Sequence, residues 1–239
     1  MKRYHFPQIA STNDYAKAHL SSFSRNEITV ISADEQTAGR GRYQRIWQSP
    51  TGLNIYATFC FFMEPGRKDI GNIAQLLAIS AAQMLEVEGF KPYLKWPNDL
   101  MIKGKKVGGV LCEVQTQADA VGVAAGIGIN VNMPAAMLLE IGQPATSLKE
   151  ESGKGFDLES LLFELQRLFK QNLAFFRTHG FASLSPELTR FMKPWEGQAI
   201  RFTYGGKMLE GIFQAVNEDG SLTIIYEGNP VIIQSGEIS

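Results

Sequence analysis

The run Leu53 to Phe62, LNIYATFCFF, has no wet side. Leu53, Ile55, Ala57, Phe59 and Phe61 share one face of an extended chain, and the opposite face is also largely apolar. A strand with one face toward water alternates; a strand apolar on both faces is covered on both. The fold must therefore be layered, with this strand inside a sheet and other elements above and below it.

The layers are legible nearby. Residues Ile70 to Glu88 keep the three-four spacing of an amphipathic helix through Ile73, Leu76, Leu77, Ser80, Ala81, Met84 and Leu85. Asp157 to Phe176 is a second helix, capped by Asp157, with its stripe at Leu158, Leu161, Leu162, Leu165, Leu168, Phe169, Leu173 and Phe176. A third runs from Ser11 to Leu20, with Ser11 and Thr12 as cap candidates. Further strands are expected at Glu27 to Ala33, Leu100 to Ile102, Lys106 to Val114 and Ala120 to Val131, with a turn at Lys103-Gly104. Pro97 keeps Tyr93 to Trp96 extended, and Pro97-Asn98-Asp99 is a turn. The strand at 120–131 contains Gly122, Gly126 and Gly128, which implies that a ligand or another backbone comes close. Between strands, Asp34 to Pro50 has neither periodicity and reads as a long loop.

After Pro194 the pattern changes to four short alternating runs, Ala199 to Tyr204, Lys207 to Val216, Ser221 to Glu227 and Val231 to Gln234. Turns at Gly205-Gly206, Asp219-Gly220 and Gly228-Asn229 separate them, which predicts a small β-barrel. We therefore expect domains at 1–193 and 194–239. About 45 residues is little for an independent core, so the second should pack on the first.

The 239 residues carry a formal net charge of −1, which excludes a general footprint for nucleic acid or anionic membrane and makes any phosphate binding local. Cys60 and Cys112 lie in apolar runs and read as buried thiols. The N-terminus lacks a signal peptide's apolar core, and no stretch reads as a membrane span, so the expected location is the cytoplasm. His5, His19 and His179 show no metal spacing, and neither a GxSxG elbow nor a Walker loop is present.

Four segments could carry chemistry. In Gly39-Arg40-Gly41-Arg42-Tyr43-Gln44-Arg45-Ile46-Trp47, glycines permit close backbone approach and arginines offer forked donors for phosphate or carboxylate. Three arginines within six residues repel one another, so this loop should be mobile when empty and ordered by an anion. A solvated loop with surface arginines is an equal reading. Lys95, ahead of Trp96-Pro97-Asn98-Asp99, would project its ammonium into a fixed place. Lys105-Lys106-Val107-Gly108-Gly109 and Gly126-Ile127-Gly128-Ile129-Asn130 are candidate close-approach strands. Taken singly, Lys95 is better read as a surface lysine beside a structural turn and 105–109 as a hairpin with lysines on its turn, and the last segment lacks the GxGxxG pattern, so a dinucleotide reading of it is weak.

Together and in this order, GRGRYQRIW, KWPNDL, KKVGGVLCE and GIGINVN, with Ser11-Thr12-Asn13 before them and Gly236-Glu237-Ile238-Ser239 at the close, resemble the biotin protein ligase family. The resemblance spans essentially the whole chain. It implies an α+β fold: a mixed β-sheet flanked by helices, followed by a small SH3-like β-barrel. It implies ATP and biotin as substrates, with Mg²⁺ on the phosphates. The partner implied is a biotin carboxyl carrier protein or domain that presents a lysine.

By position, the resemblance implies that Ser11, Thr12, Asn13 and Gln36 hold the ureido ring and its neighbourhood. The Gly39, Arg40, Gly41, Arg42 loop would close over biotin and phosphates. Arg42, Arg45, Trp47 and Asn98 would contact ATP, and Lys95 would lie beside the biotin carboxylate and α-phosphate. Lys106, Gly109 and Asn130 match further positions near biotin and nucleotide. Arg40, Arg42 and Lys95 are the expected catalytic cations, whereas no metal ligand is assignable. The chain departs from the family's GRGRxGRxW at Gln44, and IGQPATSL at 141–148 lacks a tryptophan some relatives stack on adenine. Ten residues precede Ser11, so no helix-turn-helix domain and no DNA binding are expected. Exposed sheet edges leave a homodimer open.

Three other readings fit less well. A lipoate or octanoate transferring enzyme is disfavoured by the Ser-Thr-Asn cluster and Gln36, which suit a polar ring. A sensor without turnover is disfavoured by the presence of both Lys95 and Arg42. A nucleic-acid module is disfavoured by the mixed charge of the last domain.

Overall fold

The computed structural model describes residues 1–117 and 119–238; the last residue of the closing motif, Ser239, lies outside them. In chain order the first strands and helix are β1 (Lys2–Phe6), α1 (Thr12–Ala18), β2 (Thr29–Ala33) and β3 (Ile55–Met63). Next come α2 (Ile73–Val87), entered through a 3₁₀ turn at Ile70–Asn72, then β4 (Tyr93–Lys95), β5 (Asp99–Ile102), β6 (Lys105–Thr116) and β7 (Val121–Ile129). Two short helices, α3 (Ala135–Leu139) and α4 (Leu148–Ser152), precede the long α5 (Leu158–His179) and then α6 (Ser185–Met192). The chain ends in β8 (Ala199–Tyr204), β9 (Lys207–Val216), β10 (Leu222–Tyr226) and β11 (Asn229–Ile233).

The first seven strands form one sheet in the order β1-β2-β3-β7-β6-β5-β4. Only the β1–β2 pair is parallel, so the sheet is mixed. As LNIYATFCFF demands, every residue of β3 is buried. One face, with Phe59 and Phe61, packs under α2 and α5, where both rings meet Phe169 at 4.6 and 5.8 Å. The other face gives Cys60 and Phe62 to a smaller core under α1, with Ala16, Leu20 and Phe23. Ser11 caps α1 by accepting from the Asp14 amide, and Asp157 caps α5 by accepting from Ser160.

The sequence did not announce β1, α3, α4 or α6. The residues of β1 are half-buried or exposed, so it lacks an apolar signature and is held by its ladder to β2. The last hairpin turns at Glu227-Gly228, both at positive φ, one residue earlier than expected. Residues 70–87 do have the length and apolarity of a membrane span, which corrects the expectation that no segment does. Here they are a core helix, because α2 is buried between the sheet and α5.

The last four strands form an antiparallel sheet in the order β11-β10-β9-β8. Ile238 then pairs back with Phe202 of β8, which turns the sheet toward closure. Its inward side chains, Ile200, Phe202, Phe213, Leu222, Ile224 and Ile233, join the same core as α2 and α5. The Asp219-Gly220 turn is inserted into the main sheet's side of the molecule. The Gly220 carbonyl accepts from Trp96 Nε1 at 3.0 Å and from Gln75 Nε2 at 2.9 Å. Asn72 donates to the Asp219 carbonyl at 2.8 Å. Gly220 has φ +78°, and a Cβ there would lie 2.4 Å from Gln75 Oε1 and 2.8 Å from the Phe181 ring.

Gly220→Ala therefore combines left-handed backbone strain with a collision. We expect it to cost about 2 kcal/mol, read as a fall of the chemical denaturation midpoint. Ala at Gly205, also at positive φ but with open space around it, should cost less. Equal midpoints for the two variants would contradict the tight seating of the turn.

Candidate functional site

The glycines of β7 explain the site's floor. Gly122, Gly126 and Gly128 face the α1 side of the sheet, and each is bare because another side chain occupies its place. A Cβ on Gly126 would lie 2.1 Å from Asn13 Oδ1, and one on Gly128 would lie 2.4 Å from the Trp47 ring. The sequence implied the approach of a ligand or a backbone; what approaches is the side chains of Asn13 and Trp47. Around this floor lies a partly open cleft.

One end of the cleft is a polar network. Thr12 donates to Gln36 Oε1 through its backbone N–H at 2.9 Å and is 3.1 Å from it through its hydroxyl. Gln36 Nε2 donates to Ser49 at 3.2 Å. Thr58 donates to Asn13 Oδ1 at 2.6 Å and lies 2.8 Å from the Thr12 hydroxyl. Asn13 Nδ2 donates to the Leu111 carbonyl at 3.1 Å and to Glu113 at 3.0 Å. Both amide orientations are thereby fixed. Asn13 keeps one oxygen lone pair, and Gln36 keeps one N–H, for a ligand. Thr58, Ser49 and Glu113 escaped the sequence reading. Thr58 had a signal, as a hydroxyl in the middle of the apolar β3.

The Gly39–Trp47 loop covers the cleft as a tight hairpin, with Trp47 N donating to Gly39 O at 2.9 Å and Gly41 N to Arg45 O at 2.8 Å. Gly39 does not line the cleft; it is glycine because a Cβ would lie 2.7 Å from both Ser49 Oγ and Trp47 O. At the departure from the family pattern, Gln44 has φ +59°, a left-handed conformation that glycine adopts without strain.

Each arginine of the loop has an acceptor within the chain. Arg40 reaches Asp14 and Glu113, the latter at 3.3 Å. Arg42 donates to the Gly236 carbonyl at 3.0 Å. Arg45 makes a two-pronged pair with Glu237 at 3.1 and 2.9 Å. The C-terminal segment thus forms part of the cleft wall. The Arg40 guanidinium holds the Asp14 carboxyl below its usual range. Burial pushes Glu113 up, but bonds from Lys17 and Asn13 and the Arg40 charge outweigh it, so its carboxyl also lies low.

The lysine at the cleft is Lys106. Its Nζ lies 2.6 Å from Asp99 Oδ1 and 5.6 Å from the centre of the Trp47 ring. Gly109 leaves room for this pair, since a Cβ there would lie 3.3 Å from both Asp99 Oδ1 and Lys106 Nζ. Lys95 does not line the cleft. It sits on β4, the edge of the sheet, whereas the Lys103-Gly104 turn carries Lys106 inward on β6.

Asn98 lines the cleft and also braces it, donating through its side chain to the Val110 carbonyl. Asn130 does not line it. It is buried, donates to Thr146 O at 3.1 Å, and its backbone ties Val107 to Leu148. Gln143, unforeseen, does line the cleft, because Pro144 and Thr146 bond the backbone of Lys106. Ser11, Thr12, Asn13, Gln36, Arg40, Gly41, Arg42, Arg45, Trp47 and Gly109 all line the cleft.

Burial pushes the thiols of Cys60 and Cys112 up to about 12, so neither is a ready nucleophile. Among the described residues no three His, Cys, Asp or Glu side chains gather as a metal cage.

Comparison with known proteins agrees with this geometry. Residues 5–130 match the model of the biotin/lipoate A/B protein ligase family, and residues 197–239 match that of the biotin protein ligase C terminal domain. The bifunctional ligase/repressor BirA of Bacillus subtilis is 33% identical over 95% of this chain and 69% of its own length. Among such ligase/repressors, the chain spans between 56% and 72% of the relative's length. The biotin–[acetyl-CoA-carboxylase] ligase of Paracoccus denitrificans is 31% identical, over 87% of this chain and 88% of the relative. The biotin protein ligase of Aquifex aeolicus, solved in complex with biotin and ATP, superposes with a TM-score of 0.82 at 30% identity, covering 100% of this chain and 97% of that one. With matches over both of its sheets, the chain belongs to the biotin/lipoate A/B protein ligase family.

Proposed function

We propose that this chain is a biotin protein ligase. It activates biotin with ATP to biotinyl-5'-AMP and pyrophosphate, then transfers biotin to the ε-amino group of a lysine on a biotin carboxyl carrier protein or domain. Residues 1–193 would be the catalytic unit and 194–239 the closing unit, working in the cytoplasm. The observation that carries the reading is one cleft with a polar end at Thr12, Asn13 and Gln36 and a cationic end at Lys106 and the arginine loop.

The polar end suits a cyclic urea. A urea offers N–H donors and one carbonyl; Asn13 Oδ1 can accept and Gln36 Nε2 can donate. A lipoyl or octanoyl tail has neither group at that end and would leave the spare lone pair of Asn13 and the spare N–H of Gln36 unmet.

At the cationic end two anions must meet. The biotin carboxylate attacks the α-phosphorus of ATP, a P–O bond forms, and the bond to pyrophosphate breaks. Lys106 is suited to draw both anions together, since its ammonium rests on Asp99 and can turn to incoming oxygens. Arg42 and Arg45 are suited to the phosphates, in exchange for Gly236 and Glu237. Mg²⁺ would arrive on the nucleotide and keep phosphate and water ligands; the carboxylates that line the cleft are Asp99 and Glu237. In the second step the carrier amine attacks the acyl carbon, the C–O bond to phosphate breaks, and AMP leaves while the amine loses its proton. Lys106 would stabilise the developing oxyanion.

Incubation with α-labelled ATP, Mg²⁺ and biotin, without carrier, should give a labelled biotinyl adenylate, with little from lipoate or octanoate. A lipoyl or octanoyl adenylate formed as readily would overturn the biotin reading. In the same assay Lys106→Ala should lower adenylate formation by about 10²-fold or more, whereas Lys95→Ala should stay within about threefold of the parent. The reverse ranking would return the catalytic role to Lys95.

A further inference from the structure

The polar end of the cleft has one proton too few. Three contacts link its oxygens: Thr58 Oγ1 to Asn13 Oδ1 at 2.6 Å, Thr58 Oγ1 to Thr12 Oγ1 at 2.8 Å, and Thr12 Oγ1 to Gln36 Oε1 at 3.1 Å. As hydrogen bonds, each needs a hydrogen between two oxygens. Only the two threonine hydroxyls can supply one, and each has a single proton. Thr58, Thr12 and Asn13 are all buried, so the order of these protons is set within the chain.

The two amides decide it. Asn13 Nδ2 donates to the Leu111 carbonyl and to the Glu113 carboxylate. Turned over, the amide would set its oxygen against those two acceptors, so Oδ1 must face Thr58 and can only accept. The Thr58 proton therefore goes to Asn13. Gln36 Oε1 already accepts from the Thr12 backbone N–H at 2.9 Å. At 3.1 Å it can lie against the Thr12 hydroxyl oxygen in ordinary contact, whereas two oxygens at 2.8 Å require a hydrogen between them. The Thr12 proton therefore points to Thr58. The donors run one way, Thr12 to Thr58 to Asn13, and neither hydroxyl proton is left over. Thr12 and Asn13 line the cleft, and Thr58 does not.

We infer that Thr58 is a specificity-determining positioning residue: by taking the Thr12 proton and giving its own to Asn13, it makes this end of the cleft accept ring N–H groups and refuse ring oxygen. The identity of the ring rests on the ligase reading. A cyclic urea brings two N–H donors to these lone pairs. A cyclic carbamate of the same shape, with oxygen in place of one N–H, sets lone pair against lone pair. A site built to pair with a donor rejects a ligand that lacks it far more strongly than shape alone would. Without the Thr58 hydroxyl, the Thr12 proton is released and can turn to the ring oxygen.

The test titrates the full chain calorimetrically with biotin and with its two cyclic-carbamate analogues, in which oxygen replaces one or the other ring N–H. The parent should bind at least one analogue about 100-fold more weakly than biotin. Thr58→Val should shrink that ratio about tenfold, because the analogue gains a donor. Thr58→Ser keeps the hydroxyl and should keep the parental ratio. A general loosening of the pocket would weaken both ligands and leave the ratio where it was. Thr12→Val deletes the acceptor itself and should shrink the same ratio by weakening biotin instead, which decides the matter if Thr58→Val does not fold. Equal affinity of the parent for all three ligands would overturn the inference, as would a parental ratio in either folded valine variant or a ratio lost in Thr58→Ser. If the parent binds none of the three, the biotin reading fails. Neutron diffraction from the deuterium-exchanged chain then still decides the proton order: deuterium on Thr12 Oγ1 directed at Thr58 upholds it, and deuterium directed at Gln36 overturns it.

Discussion

The site depends on a strand that gives up its side chains. On the α1 face of β7, Gly126 and Gly128 present bare backbone, and the space is filled by Asn13 from a helix and Trp47 from a loop. Side chains far apart in sequence can only converge over a sheet if the sheet leaves room for them. Glycine costs a strand stability, and β7 tolerates the loss because it lies between β3 and β6, fully laddered on both edges. The same arrangement brings Thr58 of β3 against Thr12 and Asn13, so a hydroxyl in an apolar strand becomes the anchor of the polar network.

Electrostatics then finish what packing begins. A loop with three arginines would disperse if left alone. In this molecule its charges are divided between the α1–β6 side and the C-terminal segment, and the loop lies folded between them. The two attachments differ in kind. Arg40 pairs with Glu113, which also holds the Asn13 amide, and both side chains are largely buried, whereas Arg45 and its partner Glu237 remain more open to water. Solvent and incoming phosphates can compete for the second far more readily than for the first.

What the sequence disclosed follows from where periodicity is strong. The β3 run, α2 and α5 were legible because each buries a continuous apolar surface. The terminal hairpins were legible through their glycine turns, within a residue. β1, with KRYHF, was not, since its place is decided by backbone pairing. The motifs offered both Lys95 and Lys106, and of the two Lys106 lines the cleft. Lys95 and Lys106 each sit beside a turn, and the difference between them is tertiary: one lies on the sheet's edge, and the other two strands inward. Asn130 likewise looked like a ligand contact and serves as a brace for the segment that carries Gln143.

The Asp219-Gly220 turn bears on how the molecule holds together over time. Trp96 and Gln75 both donate to one carbonyl of the small sheet, and that sheet's inner side chains complete the core beneath α2. Opening the small sheet would strip partners from Trp96 and Gln75 and wet the end of α2 in the same event. The two sheets should then behave as a single foldon, with amides of β10 exchanging hydrogen as slowly as those of β3. Removing the last strands would not liberate a smaller working protein; it would leave the larger sheet with an open seam beside the very motif that lines the cleft.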